Sequence, residues 1–324
     1  MKALQLGLLS TARINGEILR AAATTDRVDV VAVASRDGAK AQAYARQHGL
    51  ERSHSSYDAL LEDDNVDAVY ISLPNGMHHE WSLRTLAAGK HVLCEKPYSR
   101  RPAEVEEAFG VATAAGLVLL EALMYRHHPQ TQKVRDLVEG GAIGELRAVS
   151  AAFSFSLDDL SNVRAQPELD GGALMDLGCY CVSGVRLLAG EPERVSAEQV
   201  LGSTGVDMAL YGTLRHADGV VTQIAASFLA PRSQRLEAVG REGAVVVEAP
   251  WRVDWGGELV VTRGDSSEIV PVEPADAYRL QLDNFADAIE GRADPLLSRA
   301  DALGQACAIS ALSLAAETGA TIPL

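Results

Sequence analysis

The chain of 324 residues is long enough for two domains of roughly 150 residues each, and at 47% hydrophobic and 23% charged it has an ordinary packed composition. Those values exclude a disordered chain, a collagen-like chain and a coiled coil. Lys and Arg number 29 against 44 Asp and Glu, a net charge of −15, and so acidic a protein is repelled by nucleic-acid phosphates and anionic lipid, so neither is expected as a partner.

The run Met1-Lys2-Ala3-Leu4-Gln5-Leu6-Gly7 carries one early positive charge and no long apolar core before a small-residue cleavage site, so no signal peptide is expected. Leu4 to Ser10 reads as a strand buried on both faces. A helical stretch follows to about Thr24, then the strand Val28–Ala34, rich in β-branched residues, and a helix from Ala39 to His48. Ala68–Ser72 is the next strand. The helix from His78 to Ala88 ends at Gly89, where a helix C-terminus favours glycine. The strand His91–Cys94, the helix Pro102–Ala115 and the strand Val118–Leu120 complete a βαβα order. It predicts an α/β fold with a doubly wound parallel sheet, a dinucleotide-binding (Rossmann) domain over residues 1–122.

After about Glu121 the pattern changes. A helix at Pro129–Glu139 leads into a strand at Leu146–Phe155 and a helix at Gly172–Leu188. Strand-like runs then recur at roughly ten-residue spacing: Arg194–Val200, Met208–Arg215, Val220–Phe228, Leu236–Val239, Ala244–Val247, Leu259–Thr262 and Ile269–Val272. Helices at Tyr278–Ile289 and Ala300–Glu317 close the chain. Residues 123–324 are thus expected to form an α+β domain on a large, mostly antiparallel, open-faced sheet, serving substrate binding and oligomerisation. A sheet face of mixed apolar residues is expected to be covered by another subunit, giving a homodimer or larger. No stretch approaches 18 uninterrupted apolar residues, so no membrane span is expected. Cys94, Cys179, Cys181 and Cys307 are too few and too uneven for a disulfide framework, and the expected setting is a reducing cytoplasm.

The first strand runs into Ser10-Thr11-Ala12-Arg13-Ile14. A Rossmann site needs a tight turn here, because backbone N–H groups at the next helix must approach a pyrophosphate. The glycine places of G-x-G-x-x-G are held by Ser10, Ala12 and Asn15, all small. An ordinary strand-to-helix turn would read the same way. The second strand ends Ala34-Ser35-Arg36-Asp37, without the acid that would accept from a ribose 2′-OH. Ser35 can hydrogen-bond a 2′-phosphate, and Arg36 can pair with it and lie over adenine. NADP(H) is therefore expected ahead of NAD. The plainer alternative is a solvated Arg36 paired with Asp37.

Lys96, in Cys94-Glu95-Lys96-Pro97, stands at the carboxyl end of a parallel strand, where ligands sit in such sheets. Pro97 restricts its backbone. A turn lysine in water is the alternative. Asp170 is a plausible N-cap for the next helix of interest. On it Asp176 and Tyr180 are four apart and share one face, separate from the apolar Leu177, Cys181, Val185 and Leu188. That face can meet a substrate hydroxyl, or be merely wet. The pairs His78-His79 and His127-His128, with Cys179 and Cys181, lack the spacing of a zinc site, so no metal is expected.

Three segments together resemble the Gfo/Idh/MocA family of sugar and polyol oxidoreductases: Leu73-Pro74-Asn75-Gly76-Met77-His78, Ala88-Gly89-Lys90-His91-Val92-Leu93-Cys94-Glu95-Lys96-Pro97, and Gly171-Gly172-Ala173-Leu174-Met175-Asp176-Leu177-Gly178-Cys179-Tyr180. The similarity spans nearly the whole chain, including Asp283–Ile289. Tyr180 stands where many relatives have histidine. With Glu121–Gln130, it is most similar to the dimeric dihydrodiol dehydrogenase and NADP-dependent D-xylose dehydrogenase branch.

The resemblance implies hydride transfer between NADP(H) and a carbon bearing a hydroxyl or carbonyl, without a metal. It implies cofactor contacts at Ser10, Thr11, Ala12, Arg13, Ile14, Ser35, Arg36, Leu73, Pro74, Asn75, His78, Glu95 and Lys96. Tyr180 is the candidate for proton transfer; a free tyrosine titrates near 10, and an ammonium at Lys96 would lower that and steady alkoxide charge. Lys96 itself stays a second candidate for the proton. Asp176 would orient the substrate hydroxyl or hold Lys96, and Arg126 and Asn75 would line the pocket. A second reading is a cofactor-binding transcription regulator on the same fold, like the galactose-pathway repressors that resemble this family. A regulator has no need of Lys96, Asp176 and Tyr180 together. A purely structural oligomer subunit is argued against by the cofactor signals.

Overall fold

The computed structural model describes residues 3–324, so Met1 and Lys2 of the run weighed as a signal peptide lie outside the described residues. Strands and helices alternate from the start: β1 (Leu4–Leu9), α1 (Asn15–Ala22), β2 (Val28–Ala34), α2 (Gly38–His48), β3 (Arg52–His54), α3 (Tyr57–Leu61), β4 (Ala68–Ile71), α4 (His78–Ala87), β5 (His91–Glu95), α5 (Pro102–Ala115) and β6 (Leu119–Ala122). The six strands are all parallel, in the order β3-β2-β1-β4-β5-β6. The chain reverses direction across the sheet between β1 and β4. β4 and β6 are buried along their whole length; β4 is an unbroken apolar run, and β6 is one but for the buried Glu121, which accepts from the Tyr98 amide at 2.9 Å. β3 and α3 escaped the sequence reading. β3 is three polar residues and α3 is five residues long, too short to show a period; α3 is marked only by Ser56, whose hydroxyl accepts from the Ala59 amide at 3.1 Å.

The later elements are α6 (Pro129–Glu139), β7 (Leu146–Ser154), α7 (Cys179–Ala189), β8 (Pro192–Leu201), β9 (Asp207–His216), β10 (Val221–Ser227), β11 (Ser233–Gly240), β12 (Gly243–Val247), β13 (Leu259–Arg263), β14 (Ser266–Ile269), α8 (Ala277–Ile289), α9 (Arg299–Thr318) and β15 (Ile322–Pro323). They include nine strands in the order β14-β13-β12-β11-β7-β10-β9-β8-β15; β7 and β10 run parallel and the other neighbours antiparallel. β7 alternates strictly: Val149, Ala151 and Phe153 are buried and the residues between them are not. α7 covers that buried face. The outward face carries Ser196, Glu198, Tyr211, Thr213, Gln223 and Arg235 around a shallow cavity of about 520 Å³.

One strand is corrected. The apolar run Ile269–Val272 suggested a strand, but β14 is Ser266–Ile269, every residue of it exposed. A two-residue turn at Gly264-Asp265 sets Arg263 opposite Ser266, so the hairpin fixes the register and the apolar run falls mostly beyond it. Among the described residues, the stretch Pro167–Ala189 is long and apolar enough to cross a membrane, but 78% of its most apolar window is buried in the fold, as in a core helix.

Chain order set a single boundary at 122/123. The compact units are interleaved instead: one holds the chain to Ser99, Ala103–His127 and Asp276–Leu303, the other Arg100–Pro102, His128–Ala275 and Gly304–Leu324. The physical reason is α8, which returns to pack on α1. Thr25 Oγ1 donates to Asp283 at 2.7 Å, and Arg27 and Arg20 pair with Asp287 at 2.8 Å and Asp276 at 2.5 Å.

Candidate active site

In the first unit, the crevice beyond the carboxyl ends of the strands opens between β1 and β4, where such sheets bind nucleotides. Ser10 follows β1 and Ser72 follows β4, and their hydroxyls lie 2.8 Å apart. Ser10 has a φ of 141°, a conformation that glycine adopts readily and other residues rarely do. It thus fills the first glycine place with glycine's backbone. The strain is held by Ser10 Oγ accepting from the Ala12 amide at 3.1 Å and by Asn15 Nδ2 donating to the Ser10 carbonyl at 2.8 Å. The amides of Asn15, Gly16 and Glu17 are used in tight turns onto Ala12, Arg13 and Ile14. Those of Thr11, Arg13 and Ile14 have no acceptor among the described residues. The loop is therefore a donor-only cradle, which suits a pyrophosphate.

Ser35, at the end of β2, is 8% exposed and its hydroxyl accepts from the Asp37 amide at 3.1 Å. Asp37 caps α2, accepting from Ala39 N at 3.0 Å and Lys40 N at 3.2 Å. The pair of Arg36 with Asp37 is absent: Arg36 is exposed and forms no ion pair among the described residues. A hydroxyl and an uncommitted guanidinium fit a 2′-phosphate. A charge-assisted contact contributes about 1.5–3 kcal/mol. Arg36→Ala should then weaken NADPH roughly ten- to a hundredfold and NADH little, read as two dissociation constants by fluorescence; equal losses for both would refute the assignment.

Glu95 ends β5 and Lys96 follows it, half-buried, with a cis bond to Pro97. The Tyr70 hydroxyl donates to Glu95, and the Lys96 amide donates to Glu95 Oε2 at 3.3 Å. His78 is among the residues expected at the cofactor. It is fully buried, with its two ring nitrogens 2.8 Å from the Leu73 carbonyl and 2.9 Å from the Pro97 carbonyl. It staples the segment after β4 to the segment carrying Lys96, and burial pushes its pKa down. Leu73 is buried as well, while Pro74 and Asn75 are partly exposed. Arg126 also lies in this unit, nearly buried, 3.3 Å from Asp301.

In the second unit, the run Leu174–Gly178 is a π-helical turn, and α7 continues from it. Such turns widen the helix and recur at functional sites. Asp176 and Tyr180 are thus four apart across a π turn rather than along an α-helix. The alternative of a merely wet face does not hold for Tyr180: every residue from Cys179 to Arg186 is buried. Tyr180 is 8% exposed, its ring 5.5 Å edge-on from Phe153 and 6.2 Å from Trp251. Asp176 Oδ2 accepts from Arg164 Nε at 2.6 Å.

Asp170 does not cap this helix. It sits at φ 58° and pairs with Arg100. The cap is Asp207, whose Oδ2 accepts from the Leu174 amide at 2.7 Å, and burial pushes its pKa up to about 6. Sequence reasoning missed Asp207, Arg164, Phe153 and Trp251. Asp207 lies 33 residues beyond the amide it caps, and only the sheet brings it there. Among the described residues, no group of three or more His, Cys, Asp or Glu side chains is placed to hold a metal ion.

Residues 9–123 match the family model described as an oxidoreductase family with an NAD-binding Rossmann fold, and residues 131–246 match the GFO/IDH/MocA C-terminal domain. The chain is 36% identical to a D-xylose 1-dehydrogenase (NADP(+)) of Haloferax volcanii, over 99% of this chain and 100% of that protein. It is 31% identical to a trans-1,2-dihydrobenzene-1,2-diol dehydrogenase of Xenopus laevis, over 81% and 79%. A 3-ketoreductase of Actinomadura kijaniata, solved with NADP and TDP-benzene, superposes with a TM-score of 0.92 at 30% identity, over 97% and 98%. An aldose-aldose oxidoreductase of Caulobacter crescentus gives 0.92 at 25%, over 99% and 100%.

Proposed function

The chain belongs to the GFO/IDH/MocA oxidoreductase family, and from that premise we propose that it moves a hydride between NADP(H) and a hydroxyl or carbonyl carbon of a sugar, polyol or dihydrodiol. NADP(H), when bound, supplies or takes the hydride at its nicotinamide. The observation that carries the reading is Lys96 at the same sheet end as the Ser10–Ile14 cradle and the Ser35-Arg36 phosphate pair. Tyr180 exchanges a proton with the substrate oxygen, and the Lys96 ammonium stabilises the charge that develops there. The Actinomadura 3-ketoreductase was also solved with substitutions at a lysine and at a tyrosine. Along that chain the two are separated by as many residues as Lys96 and Tyr180 are here, which supports the same pair. None of the relatives described above is a transcription regulator, which leaves that alternative without support.

The test is a screen of NADP+ with D-xylose, other aldoses and diols, and of NADPH with ketones, followed at 340 nm. Turnover of at least one class is expected; no change with any would overturn the reading. The part played by the second unit is substrate binding and assembly. Its outward sheet face mixes Tyr211, half exposed, with small and polar residues, and a second copy covers it in a homodimer or larger. Light scattering that shows a monomer at micromolar concentration would contradict this. The buried free thiols Cys94, Cys179 and Cys181 favour the cytoplasm, which cell fractionation checks.

A further inference from the structure

Cys179 is the residue at which the π turn closes and α7 begins, and the fold grips it from two sides. Within its own helix, its amide donates to the Leu174 carbonyl five residues back, and its thiol donates to the Asp176 carbonyl at 3.6 Å. From α9, Gln305 reaches it across 126 residues of sequence: Nε2 donates to the Cys179 carbonyl at 2.6 Å. The Gln305 side chain is buried, and its Oε1 accepts from Arg186 Nη1 at 3.0 Å. Arg186 in turn donates from Nε and Nη2 to the Glu191 carboxylate at 2.8 and 2.6 Å. α9 lies close on this ion pair: a Cβ on Gly304 would stand 2.3 Å from Arg186 Nη2.

The chemistry of its neighbours fixes which way the Gln305 amide points. A guanidinium only donates and a carbonyl only accepts, so the amide oxygen faces Arg186 and the nitrogen faces Cys179. The Arg186 side chain is 3% exposed, and a charge so buried makes it costly to turn that oxygen away. The donor is thereby held on one peptide bond, the one that joins Cys179 to Tyr180. A peptide is planar, so the tilt of this one sets the direction in which the Tyr180 side chain leaves the helix. Any error there grows along the ring to the hydroxyl at its far end. A misplacement of about 1 Å in a reacting group can cost on the order of a hundredfold in rate. We infer that Gln305 is a positioning residue: held by the Arg186–Glu191 pair, it sets the Tyr180 hydroxyl for its proton exchange. The inference rests on the oxidoreductase reading with Tyr180 as its proton-exchanging group, and it deepens that reading.

The experiment is a double-mutant cycle in the full chain, with kcat measured per NADPH-binding site on the substrate that the wild type turns over. Gln305→Met keeps the volume and loses the donor. In the wild-type background kcat should fall roughly ten- to a hundredfold, with KM within about threefold. In the Tyr180→Phe background there is no hydroxyl to misplace, and the same change should cost less than about threefold. Gln305→Met also takes an acceptor from the buried Arg186. Should it fold poorly, Gln305→Glu carries the test: its carboxylate still accepts from Arg186 but has no hydrogen for the Cys179 carbonyl. It should show the same contrast between backgrounds. Equal fold-losses in the two backgrounds would mean a merely structural glutamine, and no loss in either would mean no role; each overturns the inference. A Tyr180→Phe protein as active as wild type, or a wild type that turns over no sugar or diol, would instead overturn the functional reading, and this inference with it.

Discussion

Tyr180→Phe should lower turnover by about 10²–10⁴-fold, the usual contribution of general acid–base catalysis, while NADPH affinity by fluorescence quenching stays within a few-fold of wild type. The substitution is clean because the ring does the packing. At 8% exposure, edge-on to Phe153 and beside Trp251, the aromatic body is held identically by phenylalanine. Only the hydroxyl is lost. If Tyr180 served packing alone, the change would be nearly silent. Lys96→Met should cost at least as much, since it removes the one cation assigned to the developing alkoxide. Its half-buried place after β5 makes it tolerant of an unbranched apolar chain of similar length. A Phe variant that keeps most of its turnover would leave Lys96 as the sole candidate for the proton step.

The order of these residues along the chain was legible, and their surroundings were not. Apolar runs and β-branched content are local, so β2, α5 and α6 were readable at or within a residue of their ends. The switch between β1 and β4 follows from the βαβ rule. Lys96 was legible because a strand end is a local feature. The ring neighbours of Tyr180 are brought in by the sheet over long separations, and the partner of Asp176 comes from a loop twelve residues before it. Arg164 sits in an irregular segment without periodicity, Phe153 on β7, and Trp251 beyond β12. The setting of His78, which the family resemblance places at the cofactor, was hidden in the same way: only the three-dimensional positions of the Leu73 and Pro97 carbonyls show what its ring nitrogens meet. The π turn is likewise invisible in sequence, because Leu174–Gly178 has the composition of any buried helix.

Gly172→Ala should be the most damaging small change near the site. Gly172 has a φ of 118°, and a Cβ there would stand 2.0 Å from Asp207 Oδ1. Two costs therefore combine. A non-glycine residue in so sparse a region costs on the order of 1–3 kcal/mol. Displacing Asp207 strips the Leu174 amide of its cap, and an unsatisfied buried donor costs roughly 1–3 kcal/mol more. Asp207 cannot simply retreat into the interior, where burial already raises its pKa to about 6. The sum, about 2–6 kcal/mol, corresponds to a fall in thermal midpoint of roughly 5–20 °C. Turnover should fall further than stability explains, because the amides of both Leu174 and Asp176 depend on this corner: the first on Asp207, the second on the Gly172 carbonyl at 3.1 Å. Gly49→Ala is the control for backbone strain alone. Its φ is 69°, nothing lies within 4 Å of the added Cβ, and it should cost only about 1–2 kcal/mol with turnover intact. A Gly172→Ala protein that melts no lower than the Gly49→Ala protein would mean that Asp207 is not the cap on which the site helix is built.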